Sequence, residues 1–67
     1  MLRVNVVDDD YIFEYINEEV YYMYSWNSFD KRFTITGINE NVFNQNHAFT
    51  GDFISDLNHF KSVLQIN

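Results

Sequence analysis

The sequence predicts an α+β fold: a small antiparallel β-sheet of about four strands with one C-terminal helix packed on a face. Three observations predict it. Before Gly37, apolar and polar residues alternate in short runs, the period of half-buried strands. Short polar breaks join the runs, which favours an antiparallel meander. After Gly51 the apolar spacing changes to that of an amphipathic helix.

The first strand is read from Leu2, Val4 and Val6, which alternate with Arg3 and Asn5. Asp8 to Asp10 form a polar break, and Tyr11 to Ile16 is a run of aromatic and branched residues. Asn17 and Glu18 supply a turn before Val20 to Trp26, where Val20, Tyr22, Tyr24 and Trp26 share a face. A helix competes for this region, because Ile12, Ile16, Val20 and Met23 stand at spacings of four, four and three. Enrichment in aromatic and β-branched residues favours the hairpin. Asn27 to Lys31, polar around Phe29, reads as a loop. Arg32 to Thr36 is the fourth strand, with Phe33 and Ile35 opposite Arg32, Thr34 and Thr36. Residues 38–49 have no clean period and read as an irregular crossing anchored by Val42, Phe43 and Phe49. From Asp52 onward Phe53, Leu57, Phe60 and Leu64 recur at four, three and four, with Ile54 and Val63 widening the stripe. Asp52 or Thr50 can cap this helix, and Lys61 lies near its C-terminal end.

The 67 residues are expected to form one domain, 1–67. Seven Phe, five Tyr and Trp26 supply large buried areas from which a short chain can build a core. With no Cys there is no disulfide, no thiol nucleophile and none of the commonest zinc ligands, which suits a reducing compartment. The opening MLRVNVV lacks the apolar core of a signal peptide, and no run approaches the ~18 apolar residues of a membrane span. A cytoplasmic protein without membrane contact is expected.

The formal net charge is −6, and it is uneven. Residues 1–24 set Arg3 against Asp8, Asp9, Asp10, Glu14, Glu18 and Glu19. Direct binding to nucleic acid needs cationic side chains to neutralise phosphates, so this balance argues against it.

The segment VNVVDDDYIF resembles the first strand and acidic pair of response-regulator receiver domains. In that family, acidic residues after a hydrophobic strand bind Mg²⁺ beside a phosphorylated Asp. The resemblance covers about ten positions and implies a parallel sheet, a second strand-end Asp and a late Lys. The middle of this chain offers Glu40, and Lys61 sits within the amphipathic stripe. A solvated turn between two strands accounts for Asp8 to Asp10 without a metal. The three are consecutive and no Gly follows, unlike the alternating ligands of an EF-hand. His47 and His59 are twelve apart with no helical i, i+4 partner, so no zinc site is expected.

Catalytic patterns are equally sparse: the chain has no Gly-rich phosphate loop, and no nucleophile elbow surrounds Ser25, Ser28, Ser55 or Ser62. The chain is therefore expected to be a binding protein without cofactor or metal rather than an enzyme. Its expected contact surface combines the carboxylates of Asp8, Asp9, Asp10, Glu14, Glu18 and Glu19 with Tyr11, Tyr15 and Tyr21. Tyrosine faces and carboxylates both attract Arg and Lys. The competing account is that the rings complete the core while the acids keep the surface soluble. The expected partner is a protein with a basic surface, one that normally holds nucleic acid, and the expected role is that of an inhibitor or modulator, a DNA mimic of the kind phages and mobile elements encode. The alternative is a structural or assembly subunit that forms a homodimer or larger homo-oligomer through exposed aromatics.

Overall fold

The structure, a computed structural model, describes residues 1–37 and 49–64. Alternation in the first half produces β1 (Leu2–Val7), β2 (Asp10–Ile16), β3 (Tyr21–Asn27) and β4 (Arg32–Gly37). They form one antiparallel sheet in the order β1-β2-β3-β4, and helix α1 (Phe53–Leu64) follows. The parallel sheet that a receiver domain requires is thereby excluded. Among the described residues no helix is long and apolar enough to cross a membrane. The irregular crossing expected over residues 38–49 falls, apart from Phe49, outside the described residues, as do Val42, Phe43 and His47.

The hairpin prevails over the helix between Asp9 and Tyr24 because its register gathers the rings. Tyr11 lies opposite Trp26, Phe13 opposite Tyr24 and Tyr15 opposite Tyr22. Opposed residues of an antiparallel pair share a face, so these three pairs make one aromatic surface. Leu2, Val4 and Val6 extend it on one side, and Phe33 and Ile35 on the other. Helix α1 covers the centre: Phe53 packs edge-on against Tyr11 at 5.3 Å, and Phe60 lies 5.6 Å from Phe13. Phe49 stacks on Tyr24 with centroids 4.0 Å apart. Phe13, Tyr24 and Phe60 are sealed from solvent, with Tyr11, Tyr22 and Phe49 nearly so.

Each turn has a local cause. Asp8 and Asp9 alone connect β1 to β2, and Asp8 has a left-handed backbone, φ 56°. Asn17 closes the β2–β3 turn by accepting the N–H groups of Glu19 and Val20, both at 2.9 Å. Asn27 accepts the N–H of Asp30 at 3.0 Å in the β3–β4 turn, which ends on the left-handed Lys31, φ 52°. Such Asx turns offer the chain a local acceptor where the ladder ends.

Asp52 caps α1 by accepting the Ser55 N–H at 3.0 Å, while Thr50 Oγ1 accepts the N–H of Asp52 at 3.2 Å. The helix is rotated relative to the stripe read from sequence: Asp56 and Phe60 point inward, and Ile54 is 61% exposed. At about 100° per residue, Ile54 lies roughly 200° around the helix from Asp56, so burying Asp56 turns Ile54 out. Leu57 is only partly buried. Leu57→Ala is therefore expected to lower stability by about 2 kcal/mol, the low end for such truncations, as read from urea unfolding.

Candidate functional site

Asp56 is fully buried, and its carboxylate accepts five hydrogen bonds. Its Oδ2 accepts the hydroxyls of Tyr11 at 2.6 Å and Tyr24 at 2.8 Å, and the Gly51 N–H at 2.9 Å. Its Oδ1 accepts the Thr50 N–H at 2.7 Å and the Thr50 hydroxyl at 3.3 Å. The carboxylate thus ties α1 to β2, β3 and the chain before the helix. Burial alone would raise its pKa, but the bonds from Tyr11, Thr50, Tyr24 and Gly51 outweigh it and hold the carboxyl below its ordinary range. Burial, then the bond to Asp56, pushes the Tyr11 and Tyr24 hydroxyls well above the usual tyrosine range. With no exposed surface on Asp56, no solute reaches the trio, so its work is to hold the fold.

The nearby end of the molecule is open. The β1–β2 and β3–β4 turns lie at the same end of the sheet as the start of α1, and a cleft of about 570 Å³ lies among them. Tyr11, Trp26 and Phe53 line its apolar part, with Asp8, Asp9, Asp52 and Lys31 at its margin. Asp10 joins the two turns, accepting the Ser28 N–H at 2.8 Å and the Ser28 hydroxyl at 2.7 Å, bonds that keep its carboxyl below the ordinary value. Trp26 also packs under Gly51, where φ is 86° and an added Cβ would stand 2.7 Å from Cζ2 of the indole. Phe29, at the tip of the β3–β4 turn, is 91% exposed.

Both described non-glycine residues with positive φ, Asp8 and Lys31, line this cleft. A left-handed conformation costs an ordinary L-residue roughly 1–2 kcal/mol, less for Asp. Asp8→Gly is accordingly expected to raise stability by about 0.5–1 kcal/mol, measured by urea unfolding. Stability gained together with partner binding lost would mark Asp8 as a residue kept for contact rather than for folding.

The residues singled out from sequence divide among three places. Asp8, Asp9 and Asp10 stand at the cleft end, and Tyr11 is a core residue whose ring reaches the cleft wall. Glu14 and Tyr21 lie on the sheet face away from α1, where the Tyr21 hydroxyl donates to Glu14 Oε2 at 2.9 Å and is raised in pKa by that bond. Tyr15 is half-buried on the α1 side and accepts from Asn17 Nδ2 at 3.4 Å. Glu18 and Glu19 are exposed in the β2–β3 turn at the opposite end, roughly 20 Å away at about 3.3 Å per strand residue. Strand direction separates them: residues close in sequence along a hairpin sit at alternate ends of it.

Sequence reasoning missed Asp56, Asp52 as a cleft residue, and Trp26. A signal for Asp56 was present, since it stands three after Phe53 and four before Phe60, on the apolar stripe itself. A carboxylate at such a position requires donors, and two tyrosines on one face of the hairpin were candidates. Among the described residues, no group of three or more His, Cys, Asp or Glu is placed to hold a metal ion. Compared with known proteins, the chain matches no family model, no curated protein and no solved structure.

Proposed function

We propose that the protein is a non-catalytic binding protein that docks its turn end onto a basic surface of a partner protein, with a cationic side chain of the partner entering the cleft. The observation that carries this reading is the composition of the cleft: an apolar wall of Tyr11, Trp26 and Phe53 bordered by three carboxylates and one ammonium. Aromatic faces attract Arg and Lys, and carboxylates at the margin orient and speed the approach of positive charge. Phe29 supplies an apolar anchor beside the cleft, because so large a ring left in water is a poor surface residue and a good hot spot. A surface that normally holds nucleic acid has the matching charge, which supports the role of inhibitor or modulator by occupation.

The test begins by recovering a partner from the native host with the intact protein as bait, then measures association rates in a salt series. Wild-type association is expected to slow steeply with salt, and Asp8→Asn with Asp9→Asn should slow it at low salt and flatten that dependence. Phe29→Ala should raise the dissociation rate by about tenfold or more without shifting the melting temperature, since the ring is exposed. Duplex DNA should compete for the same partner. Binding that ignores salt, the Asp changes and competing DNA alike would sink the proposal.

A further inference from the structure

Strand β1 lies at one edge of the sheet. Met1 and Ile16 exchange backbone bonds in both directions, Ile16 N–H to Met1 C=O at 2.9 Å and Met1 N to Ile16 C=O at 2.5 Å. In an antiparallel ladder hydrogen-bonded pairs alternate with non-hydrogen-bonded pairs, so the register places Arg3 with Glu14, Asn5 with Ile12 and Val7 with Asp10 in the bonded set. The backbone groups of Leu2, Val4 and Val6 therefore point away from β2, to a side where no described strand pairs.

Among the described residues, Arg3 is the one feature of this edge of the kind that blunts edges. The chain has no Pro, β1 has no Lys, and its register with β2 runs without a bulge. The side chains at its open positions are also under-covered: Val4 is 40% and Val6 53% exposed, although both lie on the face that α1 packs against. Charge narrows the choice of partner. Two chains of net charge −6 repel each other over most of their surface, yet β1 contains no carboxylate and one Arg. It is a neutral-to-positive seam on an acidic protein.

We infer that β1 is the interface of a two-fold homodimer, in which β1 of a second copy pairs antiparallel with Val4 opposite Val4. This register sets Leu2 opposite Val6 on either side of the dyad, so every outward-pointing backbone pair is used and the three apolar side chains continue the inner face from one sheet into the next. A slip of one residue would set the apolar face of one copy against the polar face of the other. A slip of two would leave Leu2 or Val6, according to its direction, without an apolar partner. Val6 borders the cleft as well as this edge, but Leu2 and Val4 lie outside the cleft, so Val4→Pro tests this inference separately from the Asp8 and Asp9 changes.

Sedimentation equilibrium on the intact chain, from about 1 to 300 µM to bracket the affinities of small interfaces, is expected to show twice the 8.1 kDa chain mass with reversible dissociation. Val4→Pro is the discriminating variant, because the Val4 N–H is not used within the monomer and proline is tolerated at such edge positions. It should remain folded by circular dichroism and sediment as a monomer. Hydrogen exchange of the unaltered protein supplies a readout that needs no variant: the Leu2, Val4 and Val6 amides should be protected at high concentration and exchange rapidly at low concentration. A monomer throughout the range, a dimer in which those amides exchange freely, or a dimer that survives Val4→Pro would overturn the inference. Open-ended polymers would do so too, since they would imply β1 pairing with β4 rather than with itself.

Discussion

Asp56→Ala is expected to destabilise the protein by about 3–5 kcal/mol, because it strands two buried hydroxyls and the N–H groups of Thr50 and Gly51 at once. A domain of this size has a total stability on the order of 3–10 kcal/mol, so the variant should be substantially unfolded at 37 °C. Thermal and urea melts followed by circular dichroism measure the loss directly. Tyr11→Phe and Tyr24→Phe each remove one bond to a charged acceptor while keeping the ring, and should cost about 1.5–3 kcal/mol apiece. The double variant should lose a different amount from the sum of the singles, since the hydroxyls share Oδ2. An Asp56→Ala protein within about 1 kcal/mol of wild type would show that the carboxylate is not what joins α1 to the sheet.

The same trio is expected to make the fold fail at both extremes of pH. Tyr11 and Tyr24 have pKa values raised by folding, so their contribution is fully present below the ordinary tyrosine value of 10.0 and is lost as pH climbs above it. Ionising either hydroxyl would turn a donor to Asp56 into a second buried anion. The protein should therefore unfold cooperatively in alkali, and absorbance near 295 nm should show Tyr11 and Tyr24 ionising only with that transition. On the acid side the sign reverses. The Asp56 pKa is lowered by folding, so its contribution is present above the ordinary carboxyl value of 3.8 and declines as pH falls through and below it. Asp56→Asn should remove this acid dependence while leaving that of Asp10, whose carboxyl is also held low. Ionisation of Tyr11 and Tyr24 with the fold intact would contradict the network.

Most of the fold was legible along the chain. Alternation located β1, β3 and β4 because burying one face of a sheet imposes a period of two, the run of aromatic and branched residues from Tyr11 to Ile16 located β2, and the spacing of Phe53, Leu57, Phe60 and Leu64 located the helix because its one buried side imposes a period near 3.6. The hairpin over Tyr11–Trp26 could be preferred to a helix because aromatic and branched side chains pack well on a pleated surface. Composition likewise carried the net charge of −6 and the lack of cysteine chemistry. These are properties of segments, set by neighbours in sequence.

Only the tertiary structure decided which residues meet. Asp8 and Glu19 looked like parts of one acidic stretch, but an antiparallel hairpin sends them to opposite ends of the sheet, while Asp52, more than forty positions later, arrives beside Asp8 at the cleft. Tyr11 could have been an exposed contact or a core ring, and the choice was made by Asp56, forty-five residues away, which accepts its hydroxyl. The rotation of α1 followed from the same bond: periodicity marks a helix and its apolar side, but whether Ile54 or Asp56 turns inward depends on donors that only the assembled sheet presents. A carboxylate is costly to bury alone and favourable to bury among five donors, and no window of sequence contains all five.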